Sequence, residues 1–87
     1  MALYRILIKP SAGRELATVD SRADRQRLVS KVQGLAVNPR AYGSEKLAGY
    51  SDRYRVRQGY FRIVYLIDDD KSEVTIFKIG ARKDVYR

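Results

Sequence analysis

Arginine recurs at every second position of one short segment. Arg53, Arg55 and Arg57 alternate there with Tyr54 and Val56. A period of two is typical of a half-buried strand, so the sequence predicts that the three guanidinium groups share one face of a sheet. A row of guanidinium groups is suited to holding phosphates, because each presents a planar fork of N–H donors.

A further arginine lies in the apolar segment that follows. Arg62 is the single charged residue of the run 60–67, and Gln58-Gly59 offers a turn before it, since glycine tolerates positive φ. A lone charge inside an apolar strand is costly to bury unless an anion needs it. For each arginine the alternative is a solvated side chain that also suppresses edge-to-edge aggregation, and this alternative is weakest for Arg62.

The composition indicates one small domain, residues 1–87, that meets a polyanion. The formal net charge of the 87 residues is +8 and the pI is about 10.0. This charge favours nucleic acid as the partner, followed by an acidic protein. The chain has no histidine, which excludes the histidine acid–base pair of many ribonucleases, and no cysteine, which excludes a disulfide or a thiolate metal site.

A membrane is a less favoured partner than nucleic acid. No apolar run approaches the roughly 20 residues that span a bilayer. The start of the chain, Met1–Ile6, does not resemble a signal peptide, and neither predicted helix is a basic amphipathic one. We therefore expect no membrane partner, and the absence of cysteine is compatible with a reducing cytoplasm.

Hydrophobic periodicity and turn residues predict an α+β domain with the order β-α-α-β-β-β. The predicted strands are 3–9, 53–58, 60–67 and 73–79, a short helix begins at Pro10, and a second helix covers 22–37. The last three strands should form an antiparallel meander, with both helices packed on one face of a mainly antiparallel sheet. The arginines and the tail, residues 81–87, should converge on the other face.

Each predicted helix has an apolar stripe that should be buried. Ser21 and Asp24 resemble a capping box at the start of the second helix, and Asn38-Pro39 ends it. The basic residues of that helix could bind RNA, but a solvated face is the favoured interpretation. The stripe residues are Ala12, Leu16 and Val19 in the first helix, and Leu28, Val32 and Leu35, with Val29 and Ala36 beside them, in the second.

The remaining segments are interpreted as loops and turns. Residues 40–52 carry glycine and serine and should run over the surface as a loop. The acidic segment 68–71 is interpreted as a solvated hairpin turn, because it lacks the ligand spacing of a calcium-binding loop. The last strand should end at Gly80, and its alternating faces should comprise Val74, Ile76 and Lys78 on one side and Thr75, Phe77 and Ile79 on the other.

Several motifs, in their order and spacing, resemble the RelE-type toxins of bacterial toxin–antitoxin systems. The resemblance implies an mRNA endonuclease that works in the ribosomal A site, beside the rRNA, and is silenced by an acidic RelB-like antitoxin in a hetero-oligomer. It also implies a cytoplasmic location in a bacterium or archaeon. The motifs are Asn38-Pro39-Arg40, Lys46-Leu47-Ala48-Gly49, Tyr54-Arg55-Val56-Arg57, Gly59-Tyr60-Phe61-Arg62-Ile63-Val64-Tyr65 and Ile79-Gly80-Ala81-Arg82-Lys83-Asp84-Val85-Tyr86.

The resemblance also implies roles for individual residues. Arg62 and Arg82 match the arginines that stabilise charge at the scissile phosphate, and Tyr86 matches a tyrosine placed against the reacting nucleotide. Arg55 and Arg57 stand where the best-known member has two lysines, and Ala48 stands where it has a further basic residue. The remaining predicted RNA or phosphate contacts are Arg53, Lys46 and Lys83.

The predicted mechanism uses neither a metal nor another cofactor. The ribose 2′-oxygen attacks the adjacent phosphate, and preorganised arginines stabilise the charge that develops. Arginine is practically never deprotonated, so the base is either Tyr86 or a group of the ribosome and RNA. Two alternatives stay open: a toxin that inhibits DNA gyrase, as in other branches of the superfamily, and a non-catalytic RNA-binding module.

Overall fold

The computed structural model describes residues 3–81, which form helices on one face of a sheet. In this described part of the chain there are five strands and two helices. They are β1 (Arg5–Ile8), α1 (Pro10–Ala17), α2 (Arg22–Val37), β2 (Ser44–Lys46), β3 (Arg53–Gln58), β4 (Phe61–Asp68) and β5 (Glu73–Ala81). No helix within residues 3–81 is long and apolar enough to cross a membrane.

The sheet has the strand order β1-β5-β4-β3-β2. The predicted antiparallel meander of β3, β4 and β5 is confirmed, and β1 lies parallel to β5 at one edge. The prediction of an uninterrupted loop over 40–52 is wrong, because β2 pairs antiparallel with β3 at the other edge. Three residues are too few to show a period, so this strand arises from backbone pairing with β3 rather than from a sequence pattern.

The second helix begins and ends where the sequence predicts. The N–H of Asp24 donates to the Ser21 hydroxyl at 3.2 Å, and Asn38 caps the other end, one residue before Pro39. Leu28, Val32 and Leu35 are buried as predicted. Val29 is 39% exposed, because it faces the groove between the helices and not the sheet.

The hairpin between β3 and β4 has a tight two-residue turn. Gln58 lies opposite Phe61, so Gly59 and Tyr60 form the turn, and Tyr60 is exposed and not part of the strand. Gly59 has a φ of +60°, as the first central residue of a type II′ turn requires. The predicted turn is confirmed, and β4 begins one residue later than expected.

A β-bulge in β5 changes which residues face the helices. Val64 lies opposite Lys78 and Tyr65 opposite Ile76, which leaves Phe77 as an additional residue. Ile79 therefore returns to the face of Ile76 and is buried, so the predicted alternation through the whole strand is wrong. The strand also continues past its predicted end at Gly80, because Gly80 and Ala81 still pair with β4.

The core lies between the helices and the near face of β4. Ile63, Tyr65 and Ile67 alternate along that face and are buried. The Tyr65 hydroxyl donates to the Pro39 carbonyl at 2.6 Å, which fixes the chain after α2 against the central strand. Burial raises the pKa of Tyr65 above the ordinary tyrosine value.

The turn between β4 and β5 is held by ionic contacts. Asp69 accepts two hydrogen bonds from the Arg40 guanidinium, at 2.8 and 3.1 Å, and one from the Tyr4 hydroxyl at 2.6 Å. These contacts lower the pKa of Asp69, mainly through Arg40. The interpretation of the turn as solvated is confirmed, since the Asp69 side chain is 53% exposed. Its carboxylate also joins this turn to Tyr4, just before β1, and to Arg40, after α2.

Candidate functional site

The face of the sheet opposite the helices carries the arginines. Arg53, Arg55 and Arg57 lie opposite Leu66, Val64 and Arg62 of β4, and residues directly opposite each other in a sheet project to the same side. The four arginines therefore share one face, as the sequence predicts. We refer to the side of the sheet that bears Arg53, Arg55, Arg57 and Arg62 as the arginine face.

Arg57 and Arg62 form a cross-strand pair of like charge. Arg62 is 4% exposed and is the buried charged residue of the part of the chain that the structure describes, whereas Arg57 is exposed. Like charges directly opposite each other destabilise a sheet, and burying a cation adds a desolvation cost. An anion bound at this pair would offset the repulsion between the two guanidinium groups.

Glycine borders the buried arginine on its other side. Gly80 of β5 lies opposite Arg62, so at this position β5 contributes no side chain to the arginine face. Arg62 is thus flanked by a second cation on β3 and by a bare backbone position on β5.

Glu15 of α1 holds the end of β5 that borders the site. Its carboxylate accepts from the backbone N–H of Ile79 at 3.1 Å and from the Lys78 ammonium at 2.9 Å. The pairing of β1 with β5 ends at Ile76, so this carboxylate takes the place of a strand neighbour for Ile79. The sequence did not predict a role for Glu15. Glu15 lies next to Leu16 of the apolar stripe in the first helix, and nothing in that pattern indicates a contact with β5.

Arg55 has an ionic partner on the edge strand. Its guanidinium lies 3.1 Å from the carboxylate of Glu45, and the side chains are 25% and 58% exposed. An exposed pair of this kind contributes little stability, about 0–1 kcal/mol. The sequence did not indicate Glu45, because β2 itself was not predicted.

Arg53 lies between two aromatic rings. Its guanidinium carbon is 4.4 Å from the ring centre of Tyr50 and 4.5 Å from that of Phe77, and the Lys9 ammonium is 4.3 Å from the Phe77 ring. The sequence predicted Arg53 as a phosphate contact and did not single out the other three residues. We call Lys9, Phe77, Arg53 and Tyr50 the cation–aromatic stack.

Among the predicted site residues that the structure describes, Lys46 lies away from the arginine face. Lys46 is exposed and lies opposite Tyr54, so it projects to the side of the sheet that the helices cover. Arg82, Lys83 and Tyr86 lie outside the described residues, and their roles stay predictions.

Comparison with known proteins relates both sequence and fold to bacterial and archaeal toxins. The model of the ParE toxin of type II toxin–antitoxin systems, parDE, matches residues 6–86. None of the curated proteins matches the chain at a significant level.

Solved structures resemble the chain over nearly its full length. The toxin–antitoxin complex RelBE2 of Mycobacterium tuberculosis has a chain with a TM-score of 0.81 and 25% identity, covering 94% of each chain. A mutant of the Escherichia coli toxin RelE in the free state gives 0.80 and 26%, covering 99% of this chain and 92% of that one. The archaeal RelE–RelB complex of Pyrococcus horikoshii gives 0.80 and 25%, covering 92% and 96%.

Proposed function

The chain belongs to the ParE toxin family and is the toxin of a type II toxin–antitoxin system, and we propose that it is an mRNA endonuclease acting on the ribosome. The observation that carries this proposal is the Arg57–Arg62 pair on the arginine face. A buried arginine opposed by another arginine favours a polyanion as the ligand. The similarity to RelE structures supports the same assignment.

The proposed reaction is an internal transesterification of RNA. The ribose 2′-oxygen attacks the adjacent phosphorus, the bond from phosphorus to the 5′-oxygen breaks, and the products carry a 2′,3′-cyclic phosphate and a 5′-hydroxyl. A base removes the 2′ proton, and the departing 5′-oxygen takes up a proton. Negative charge gathers on the non-bridging oxygens, and Arg62 is proposed to stabilise it.

The arginines of the face divide the work of binding and charge stabilisation. Removing one preorganised donor from a developing oxyanion costs about 2.7–4 kcal/mol of barrier. Arg62 has that role here, and Arg57 and Arg55 hold the flanking phosphates. Arg82 is proposed as the second stabilising cation and Tyr86 as the residue against the reacting nucleotide.

The proposal is tested by mapping RNA 5′ ends in cells after a pulse of expression. We expect new ends inside translated codons, and we expect them to disappear in Arg62→Ala. Arg27→Ala is the matched control, because Arg27 is an exposed arginine on α2 whose ionic partner is Asp24. Codon cleavage that persists in a folded Arg62→Ala protein would overturn the role given to Arg62.

Inhibition of DNA gyrase is the second candidate function. The matching family model is that of ParE toxins, and resemblance to that branch implies a gyrase target. Growth arrest without new RNA ends, together with loss of supercoiling by purified gyrase, would establish it. Neither cuts nor arrest would favour a non-catalytic RNA-binding protein.

The partner of the toxin is proposed to be an acidic, RelB-like antitoxin. The matching RelBE2 and RelE–RelB structures are toxin–antitoxin complexes, which supports an antitoxin partner. A net charge of +8 would attract an acidic segment and order it on binding. Coexpression of the antitoxin should restore growth, and the affinity of the complex should fall as the salt concentration rises.

A further inference from the structure

The cation–aromatic stack lies on the arginine face but away from the Arg57–Arg62 pair. Arg53 and Arg57 are four residues apart on β3, a separation of about 13 Å at about 3.3 Å per residue. Arg53 is between the rings of Tyr50 and Phe77, so its guanidinium is oriented by both rings. The stack therefore forms a separate feature at the other end of the same face.

The Tyr50 ring has the properties of a stacking surface. It is 49% exposed and lies in the segment before β3, while the Arg53 guanidinium lies 4.4 Å from its centre. Phe77, by contrast, is half-buried. Two cations lie near its ring: Lys9, which follows β1, and Arg53, the first residue of β3. The exposed end of the stack is thus the Tyr50 ring, which contacts the Arg53 guanidinium.

We propose that Tyr50 is the stacking platform of a second nucleotide site, which takes the base of a single-stranded RNA nucleotide at a distance from the cleaved bond. Exposed aromatic rings stack on bases of any sequence, because every base has a π face. Lys9 and Arg53 supply positive charge for the adjoining backbone. Arg53 also positions Tyr50, in addition to the phosphate contact that the sequence predicts.

A purely structural role accounts for Phe77 but not for Tyr50. Phe77 is covered by Lys9 and Arg53, and these contacts shield a ring that the β-bulge leaves on the open face. Tyr50 adds little to that cover, because about half of its surface remains exposed. Placing a large ring on a guanidinium and leaving it open to solvent fits a surface that binds a base.

The inference rests on the proposed RNA endonuclease function, and its test separates the two. The probe is a single-stranded RNA in which 2′-O-methyl groups prevent attack on phosphate, and its binding to full-length toxin is measured by fluorescence anisotropy at low salt. Tyr50→Ala should weaken binding at least about fivefold, and Tyr50→Phe should bind like the wild type. Tyr50→Leu, which keeps apolar bulk but has no π face, should resemble Tyr50→Ala.

The matched control is Tyr42→Ala, because Tyr42 is a fully exposed tyrosine outside the stack. A second readout is photocrosslinking with 5-iodouridine placed at successive positions of the RNA. We expect a crosslink to Tyr50 from a nucleotide that is not at the cleaved bond, and loss of that crosslink when Arg53 is replaced by Ala.

The outcomes distinguish the two proposals. Equal binding by wild type and Tyr50→Ala, with no crosslink to Tyr50, overturns the second nucleotide site even if codon cleavage is intact. Failure of the wild type to cut codons overturns the proposed endonuclease and, with it, this site, whereas failure of the wild type to bind the RNA probe overturns this site alone. Weakened binding in Tyr50→Ala with cleavage that still depends on Arg62 supports both.

Discussion

β3 and β4 present two unlike faces to their surroundings. Toward the helices they contribute Val56, Ile63 and Tyr65, all of which are buried. On the other side the same strands carry arginines, and two of them lie directly opposite each other. The helix-covered face thus stabilises the domain through apolar burial, whereas the arginine face brings like charges close together.

The comparison shows that adjacent residues of one strand can lie on faces with different properties. Arg62 and Ile63 are adjacent and both buried, yet one is a cation on the open face and the other is an apolar side chain in the core. A change at Ile63 should act through the free energy of unfolding, and a change at Arg62 through the proposed cleavage reaction.

The largest expected effect on stability is that of Ile63→Ala. Removing a fully buried isoleucine side chain costs about 2–5 kcal/mol, through lost burial and the cavity left behind. Urea unfolding of the purified toxin measures this loss. Codon cleavage per folded molecule should be retained at low temperature, and a loss of cleavage in the folded protein would break the division between the two faces.

Tyr65→Phe, on the same helix-covered face, should lower the free energy of unfolding by less than Ile63→Ala does. The substitution removes the hydroxyl that donates to the Pro39 carbonyl at 2.6 Å and leaves a carbonyl without that donor, at a cost of about 1–3 kcal/mol. Above about pH 10 the difference in the free energy of unfolding between Tyr65→Phe and the wild type should become smaller. The pKa of Tyr65 is raised by burial, so its contribution is present below the ordinary tyrosine pKa and is lost as the pH rises through the raised value.

Arg57→Gln should change stability in the opposite direction. It relieves the repulsion with Arg62, so the free energy of unfolding should rise by about 0.2–1 kcal/mol at low salt, and less at high salt. Codon cleavage should fall. Arg57→Lys is the control, because it keeps the charge and should bring no gain in stability. A destabilised Arg57→Gln protein would show that the pair is not repulsive.

Asp69→Asn probes a polar contact away from both the core and the proposed site. Because Arg40 and Tyr4 lower the pKa of Asp69, the carboxylate stabilises the fold above the pKa of an unfolded aspartate, about 3.9. This stabilisation should be lost as the pH falls through the lowered pKa of the folded protein. The wild type should therefore exceed Asp69→Asn in stability near neutral pH and match it in strong acid. A difference that is constant with pH would rule out the ionic contribution.

The sequence predicted the parts of the fold that local pattern determines. Strict alternation placed Arg53, Arg55 and Arg57 on one face, and the capping residue Ser21 and the proline at 39 set the limits of α2. Each of these signals lies within a few residues of the feature that it predicts. The fold class follows from them, because the number and order of such elements leave few arrangements open.

The features that the sequence did not predict depend on residues far apart in the chain. Phe77 reverses the expected faces of β5 because of a bulge, which periodicity does not indicate. Lys9 contacts Phe77 only because β1 lies beside β5. Glu45 reaches Arg55 through β2, whose three residues are too few to be recognised. The sequence therefore predicted that the arginines share one face and did not predict the residues that surround them.

The parallel pairing of β1 with β5 has a consequence for folding during synthesis. Arg5 lies opposite Glu73, so an edge of the sheet joins residues that are 68 positions apart. Pairing at such sequence separation is slow, and during synthesis it must wait until the last described strand has left the ribosome. The emerging chain cannot complete the sheet that presents its arginines until β5 has been translated, so this sheet is completed late relative to its first strand.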